Sequence, residues 1–109
     1  MRQALDGLQA LRARAGRVGV GGHREYNPGW HAALDLHSLL TVSEAVTRSA
    51  IERRESRGGH FRDDYPDKDA ACETFNIVVR KNAVGRMEIS RVSIPEMPSE
   101  LKQVIEEMK

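Results

Sequence analysis

Arg53-Arg54-Glu55-Ser56-Arg57-Gly58-Gly59-His60-Phe61-Arg62-Asp63-Asp64-Tyr65-Pro66 decides how this chain is read. It gathers four arginines, a histidine and several carboxylates around a Gly-Gly break, at the point where a long helical pattern stops. Upstream of it, Asn27-Pro28 is a helix start: Asn caps, and Pro suits the first helical position because its missing N–H has no intrahelical partner there. From Trp30 the apolar set Ala33, Leu36, Leu39, Leu40, Val46 and Ala50 keeps helical spacing, and Ala32, Val42 and Ile51 widen the stripe. The pattern predicts a helix over residues 29–55, about 40 Å long at 1.5 Å per residue. A stripe that wide needs more than one neighbour. Thr41-Val42-Ser43 marks an expected kink, since Ser and Thr bond back to the preceding turn.

Working outward, Leu5, Leu8, Leu11 and Ala15 recur every three or four residues and predict a first amphipathic helix over residues 2–18. Arg12, Arg14 and Arg17 complement its C-terminal dipole. Gly16-Arg17-Val18-Gly19-Val20-Gly21-Gly22 follows a helix rather than a strand and opens no helix directly behind it, so it reads as a connector and not a phosphate loop. Beyond Gly58-Gly59, residues 61–69 read as an irregular loop with a turn at Tyr65-Pro66-Asp67. Thr74 to Arg80 alternates Phe75, Ile77 and Val79, and Met87 and Ile89 alternate again after a short loop, which predicts a β-hairpin. The alternation slips at Arg91-Val92, where a bulge is expected. Pro95 and Pro98 end the strand, and Leu101, Val104, Ile105 and Met108 form a short terminal helix. The expected fold is therefore mainly α: an incomplete helical bundle of two main helices, then a hairpin and a short C-terminal helix. Residues 1–66 form the bundle part and residues 67–109 the tail.

Composition excludes several classes. A formal charge of +1 over 109 residues gives no bias toward nucleic acid, and no exposed aromatics interleave with Arg12, Arg14, Arg17 and Arg24. No apolar run nears the roughly 20 residues that span a bilayer, so no direct membrane insertion is expected. Residues 1–6 lack the apolar region of a signal peptide. Cys72 is the single cysteine, which fits a reducing, cytoplasmic setting and an inert buried thiol. His31 and His37 stand six apart, off metal-ligand spacing, and no Cys/His pair supports zinc. Trp30 reads as a packing anchor. Two helices and a hairpin make a thin core, and the second helix carries more apolar surface than the first can cover.

From Asn27-Pro28-Gly29-Trp30 through Leu34-Asp35-Leu36 to Ser49-Ala50-Ile51-Glu52-Arg53-Arg54-Glu55-Ser56-Arg57-Gly58-Gly59-His60-Phe61-Arg62-Asp63, the chain resembles the C-terminal domain of the flavoprotein subunit of succinate dehydrogenases and fumarate reductases. The family pattern reads Ser-Ala-x-x-Arg-Lys-Glu-Ser-Arg-Gly-Ala-His-x-Arg-x-Asp. Arg54 replaces the common Lys and Gly59 the common Ala. The strand segment Glu73 to Arg80 is also similar, and the pattern is shared with L-aspartate oxidase.

The resemblance implies a fragment whose parent carries FAD-binding and capping domains ahead of it, so that Met1 need not be the native start. It implies FAD in the parent, none in this stretch, and no catalytic residue here. It also implies an iron–sulfur subunit as a partner in the parent complex, and a peripheral place on the inner face of a membrane. The family's bundle has three helices, and its first is expected to be missing; the resemblance also implies that loop 56–66 faces another domain. Glu55, Ser56, Arg57, His60, Arg62 and Asp63 are the expected interdomain docking residues, because Arg and carboxylate make orienting, charge-assisted pairs and His bridges near neutral pH. Local bracing is the competing expectation: Arg57 and Arg62 capping the helix end and pairing with Asp63 and Asp64. L-aspartate oxidase and a free-standing helical interaction module without flavin stand as alternatives for the whole.

Overall fold

The computed structural model describes residues 1–108. Helix α1 spans Arg2–Ala15 and helix α2 spans Pro28–Glu52; a 3-10 turn at Ala70–Thr74 leads into strand β1 (Phe75–Lys81), strand β2 (Met87–Ser93) and helix α3 (Ser99–Glu107). The architecture is the expected one, mainly α with an antiparallel hairpin and a terminal helix.

Helix α2 starts where Asn27 and Pro28 place it. Asn27 is extended, and its side-chain oxygen accepts from the Trp30 N–H at 3.3 Å. Its amide donates to the carbonyls of Gly21 and His23, both at 2.9 Å, so the cap also ties down the glycine segment. Trp30 is half-buried, with the Arg24 guanidinium 5.7 Å from its ring centre. Thr41 does bond back, to the His37 carbonyl at 2.9 Å, yet α2 runs on uninterrupted.

Two boundaries and one bulge differ from expectation. Helix α1 stops at Ala15 instead of residue 18, because the following N–H groups of Arg17 and Val18 reach back only three residues and tighten the chain into turns. Helix α2 stops at Glu52, well before Gly58-Gly59, with Arg53 already extended. The cause lies in the corner described below, where another arginine takes the last helical carbonyls. The bulge at Arg91-Val92 is absent: the register runs unbroken from Phe75↔Ser93 to Lys81↔Met87. Arg91 sits opposite Ile77 on the face that carries Phe75. Its guanidinium lies 4.6 Å from the Phe75 ring centre, and it donates to Glu52 at 2.7 Å. An arginine that covers an aromatic ring takes an inward strand position without breaking the ladder.

Helices α1 and α2 pack antiparallel, with Arg12 bridging to Glu44 at 3.0 Å. Ala15 and Leu40 are buried in this pair; Cys72 and Phe75 are buried where the hairpin meets the end of α2. The core is that small. On α2, Leu39, Val42 and Val46 remain 62%, 61% and 64% exposed, and every apolar residue of α3 is exposed. The radius of gyration is 20.1 Å, against about 13 Å for a compact domain of this length.

The cap makes a direct forecast. Asn27→Ala is expected to cost about 1 kcal/mol, read as a lowered melting temperature. Asn27→Asp keeps the oxygen that caps Trp30 and loses both donors to the glycine segment. Amide exchange over residues 18–23 should therefore rise in Asn27→Asp while the melting temperature falls less than in the alanine variant.

Candidate functional site

The chain turns sharply after α2, and the turn is built around one carboxylate. Glu55 is fully buried. Its Oε1 accepts from Arg53 Nη1 at 2.6 Å and Arg57 Nε at 2.9 Å, and its Oε2 accepts from the Asp69 N–H at 2.9 Å. A carboxylate stays charged in such a place only if its lone pairs are filled, and here they are. The Arg57 hydrogen bond is the chief cause that lowers the Glu55 pKa from 4.5 to about 2; burial opposes it, and the Asp69 N–H and Arg53 add to it.

The two guanidiniums also reach outward along the chain. Arg53 donates to the carbonyls of Cys72 at 3.1 Å and Phe75 at 3.2 Å, and lies 5.4 Å from the Phe75 ring centre. Arg57 donates its second arm to Glu73 at 2.9 Å, which raises its pKa further beyond that of free arginine after the larger effect of Glu55. Glu55 thereby ties the end of α2 to the start of the hairpin.

Arg62 makes the second clamp. It is nearly buried and forks onto Asp64, with Nε at 2.8 Å from Oδ1 and Nη2 at 2.6 Å from Oδ2. Its Nη1 donates to the carbonyls of Ala50 at 2.8 Å, Ile51 at 3.1 Å and Arg53 at 3.0 Å. These are orphan acceptors of the helix end, so Arg62 caps α2 from outside and sets where it stops. The pair holds the Arg62 pKa up and the Asp64 pKa down, chiefly through its own hydrogen bonds.

Ser56 stitches the loop: its Oγ donates to the Tyr65 carbonyl at 2.7 Å and accepts from the Arg62 N–H at 2.8 Å. Arg57 and His60 exchange both backbone hydrogen bonds, at 2.8 and 3.0 Å, around Gly58-Gly59. Gly58 takes φ +58°, the left-handed value that favours glycine, whereas a Cβ on Gly59 would meet open space. A methyl group is therefore accommodated at the second glycine and strained at the first. The His60 ring is half-buried, with Nε2 at 3.3 Å from the Arg53 carbonyl.

Of the residues singled out in the sequence, Glu55, Ser56, Arg57, His60 and Arg62 meet in this corner. Asp63 lies on its surface and makes no ion pair among the described residues. Asp64 closes the Arg62 clamp in its stead. The pattern already held that signal, since Arg-x-Asp places the acid two residues after Arg62. The other partners, Arg53, Asp69 and Glu73, were not legible as site residues, because spacing along the chain does not show where the loop folds back.

Arg53, Arg57 and Arg62 are already engaged by carboxylates and carbonyls, so these three are not free donors for a flavin pyrophosphate. Among the described residues, no group of three His, Cys, Asp or Glu side chains is arranged to hold a metal ion, and no helix is long and apolar enough to cross a membrane.

The chain is thus a helical pair joined to a hairpin through a buried ion network. Comparison with known proteins gives it a family. The family model described as fumarate reductase flavoprotein C-term matches residues 1–105, and the chain belongs to this family of succinate dehydrogenase and fumarate reductase flavoprotein C-terminal domains. A chain of the Mycobacterium smegmatis Sdh1 complex in the apo form superposes with a TM-score of 0.75 at 40% identity, over 94% of this chain and 19% of that one. The fumarate reductase flavoprotein subunit of Haemophilus influenzae is 32% identical over 86% of this chain, and the L-aspartate oxidase of Streptomyces coelicolor 32% over 88%. The chain spans 16% of the length of each of these two relatives.

Two outcomes are expected from the corner. Glu55 has a lower pKa folded than unfolded, so its contribution to stability is complete above about pH 5 and is lost as pH falls toward 2. Thermal melting between pH 6 and 2 should show this loss, and Glu55→Gln should flatten the pH dependence, with its lower melting temperature at pH 6 converging on that of the unsubstituted chain as pH falls toward 2. At the turn, Gly58→Ala should destabilise by about 1–2 kcal/mol, with Gly59→Ala close to neutral in the same melting experiment.

Proposed function

We propose that this chain is the C-terminal structural part of an FAD-dependent flavoprotein subunit that interconverts succinate and fumarate. It buttresses the FAD-binding and capping domains of the same polypeptide, which works beside an iron–sulfur subunit on the inner, cytoplasmic face of a membrane. The observation that carries the reading is the match to the Sdh1 complex chain, close in both sequence and backbone over nearly the whole of this one. The geometry supports a buttressing role, because Arg53, Arg57 and Arg62 close on internal acids and backbone. In this reading residues 1–66 carry the docking corner, with Glu55, Ser56, Arg57, His60, Arg62 and Asp63 shaping or making the contact. Residues 67–109 anchor the corner from behind through Asp69, Cys72 and Phe75.

L-aspartate oxidase is the second reading, favoured by the Streptomyces relative. Assay of the intact subunit decides between them: succinate oxidation or fumarate reduction is expected, and turnover of L-aspartate without either would replace the proposal. The 109-residue chain by itself should be colourless and inactive; tight flavin binding by it would contradict the buttress role. In the intact subunit, Arg57→Ala should lower flavin content and melting temperature together, through loss of the Glu55 and Glu73 bonds. Unchanged flavin, activity and melting would show the corner to be dispensable.

A further inference from the structure

The charges between residues 53 and 64 divide into two sets. Arg53, Glu55, Arg57, Arg62 and Asp64 are all consumed in the clamps. Arg54 and Asp63 are exposed, and among the described residues neither makes a side-chain hydrogen bond or an ion pair. Phe61 stands close by, 71% exposed. All three line one open groove of about 640 Å³, with Ile51 and Tyr65 as further wall.

Phe61 is not a side chain on a loose loop. The residue before it is held by the paired backbone of Arg57 and His60, and the residue after it by the Ser56 hydroxyl and the Asp64 fork. An aromatic ring presented on locked backbone loses little entropy on contact, and rigid aromatics flanked by charge are the common anchors of protein interfaces. The clamps thus fix the corner, and the groove is what the corner shows to its surroundings.

We propose that Arg54, Phe61 and Asp63 are the residues that touch the FAD-bearing part of the same polypeptide. Its matching surface offers an apolar recess for the Phe61 ring, a carboxylate for Arg54 and a cation for Asp63. This rests on the flavoprotein reading above and deepens it: the arginines of the clamps shape the corner, and these three make the contact. The same polypeptide is the favoured occupant because this chain matches only 19% of the solved relative's chain, so most of that polypeptide lies outside it. A tethered surface meets the groove at an effective concentration in the millimolar range, ahead of any separate protein.

The test uses the intact subunit with Phe61 replaced by p-benzoylphenylalanine, irradiated and mapped by mass spectrometry. The expected product is a crosslink to the part of the polypeptide outside residues 1–109, in protein that keeps its flavin absorbance. Crosslinks confined to residues 1–109, or made to a separate subunit, in flavin-containing protein overturn the contact and leave the flavoprotein reading intact. Unsubstituted intact protein without flavin overturns both. As a second measurement, Arg54→Glu and Asp63→Lys should each speed flavin release by about tenfold, as loss of a close interfacial charge pair does. Release unchanged in both variants overturns the contact even where a crosslink forms.

Discussion

A buried carboxylate with every lone pair answered is the constraint on which the rest depends. Glu55 brings together two guanidiniums and a backbone N–H from three separate points of the chain, one at the end of α2, one in the turn and one ahead of the hairpin. An ion pair of this kind adds little net stability over a well-packed apolar core, but its geometry is exacting, and breaking it leaves a buried charge alone. The three donors tie the end of α2, the turn and the chain ahead of the hairpin to one point. Arg62 supplies the complementary restraint by filling the last carbonyls of the helix, so the helix length and the loop path are set by the same few residues.

This division of labour explains a domain with so few buried apolar residues. Ala15, Leu40, Cys72 and Phe75 do not make a core that would hold 109 residues by hydrophobic burial. Polar clamps hold the corner locally, while the apolar faces of α2 and α3 stay uncovered. The extended outline and the thin core go together, since little apolar surface is buried within the chain.

Much of this was legible in the sequence where a local rule operates. The Asn27-Pro28 start, the hairpin and the terminal helix follow from capping chemistry and side-chain period. The end of α2 was not legible, because it is set by Arg62, ten residues beyond Glu52 in the sequence, and not by the helix formers themselves. The same holds for the expected bulge: Arg91 breaks the apolar alternation, and only the nearness of Phe75 and Glu52 shows why it belongs on the inner face. In the corner, sequence reading found the cluster but not its wiring. Asp63 and Asp64 are adjacent and chemically alike, and the pleat of the loop decides which one Arg62 receives.

The clamps have a kinetic side. The Arg62–Asp64 and Arg57–Glu55 bonds join residues two apart, and the Arg53 bond to the Phe75 carbonyl spans 22 positions. Contacts so near along the chain close early, since little loop entropy stands against them. The bend can therefore set early, before the more distant contacts of the chain have formed.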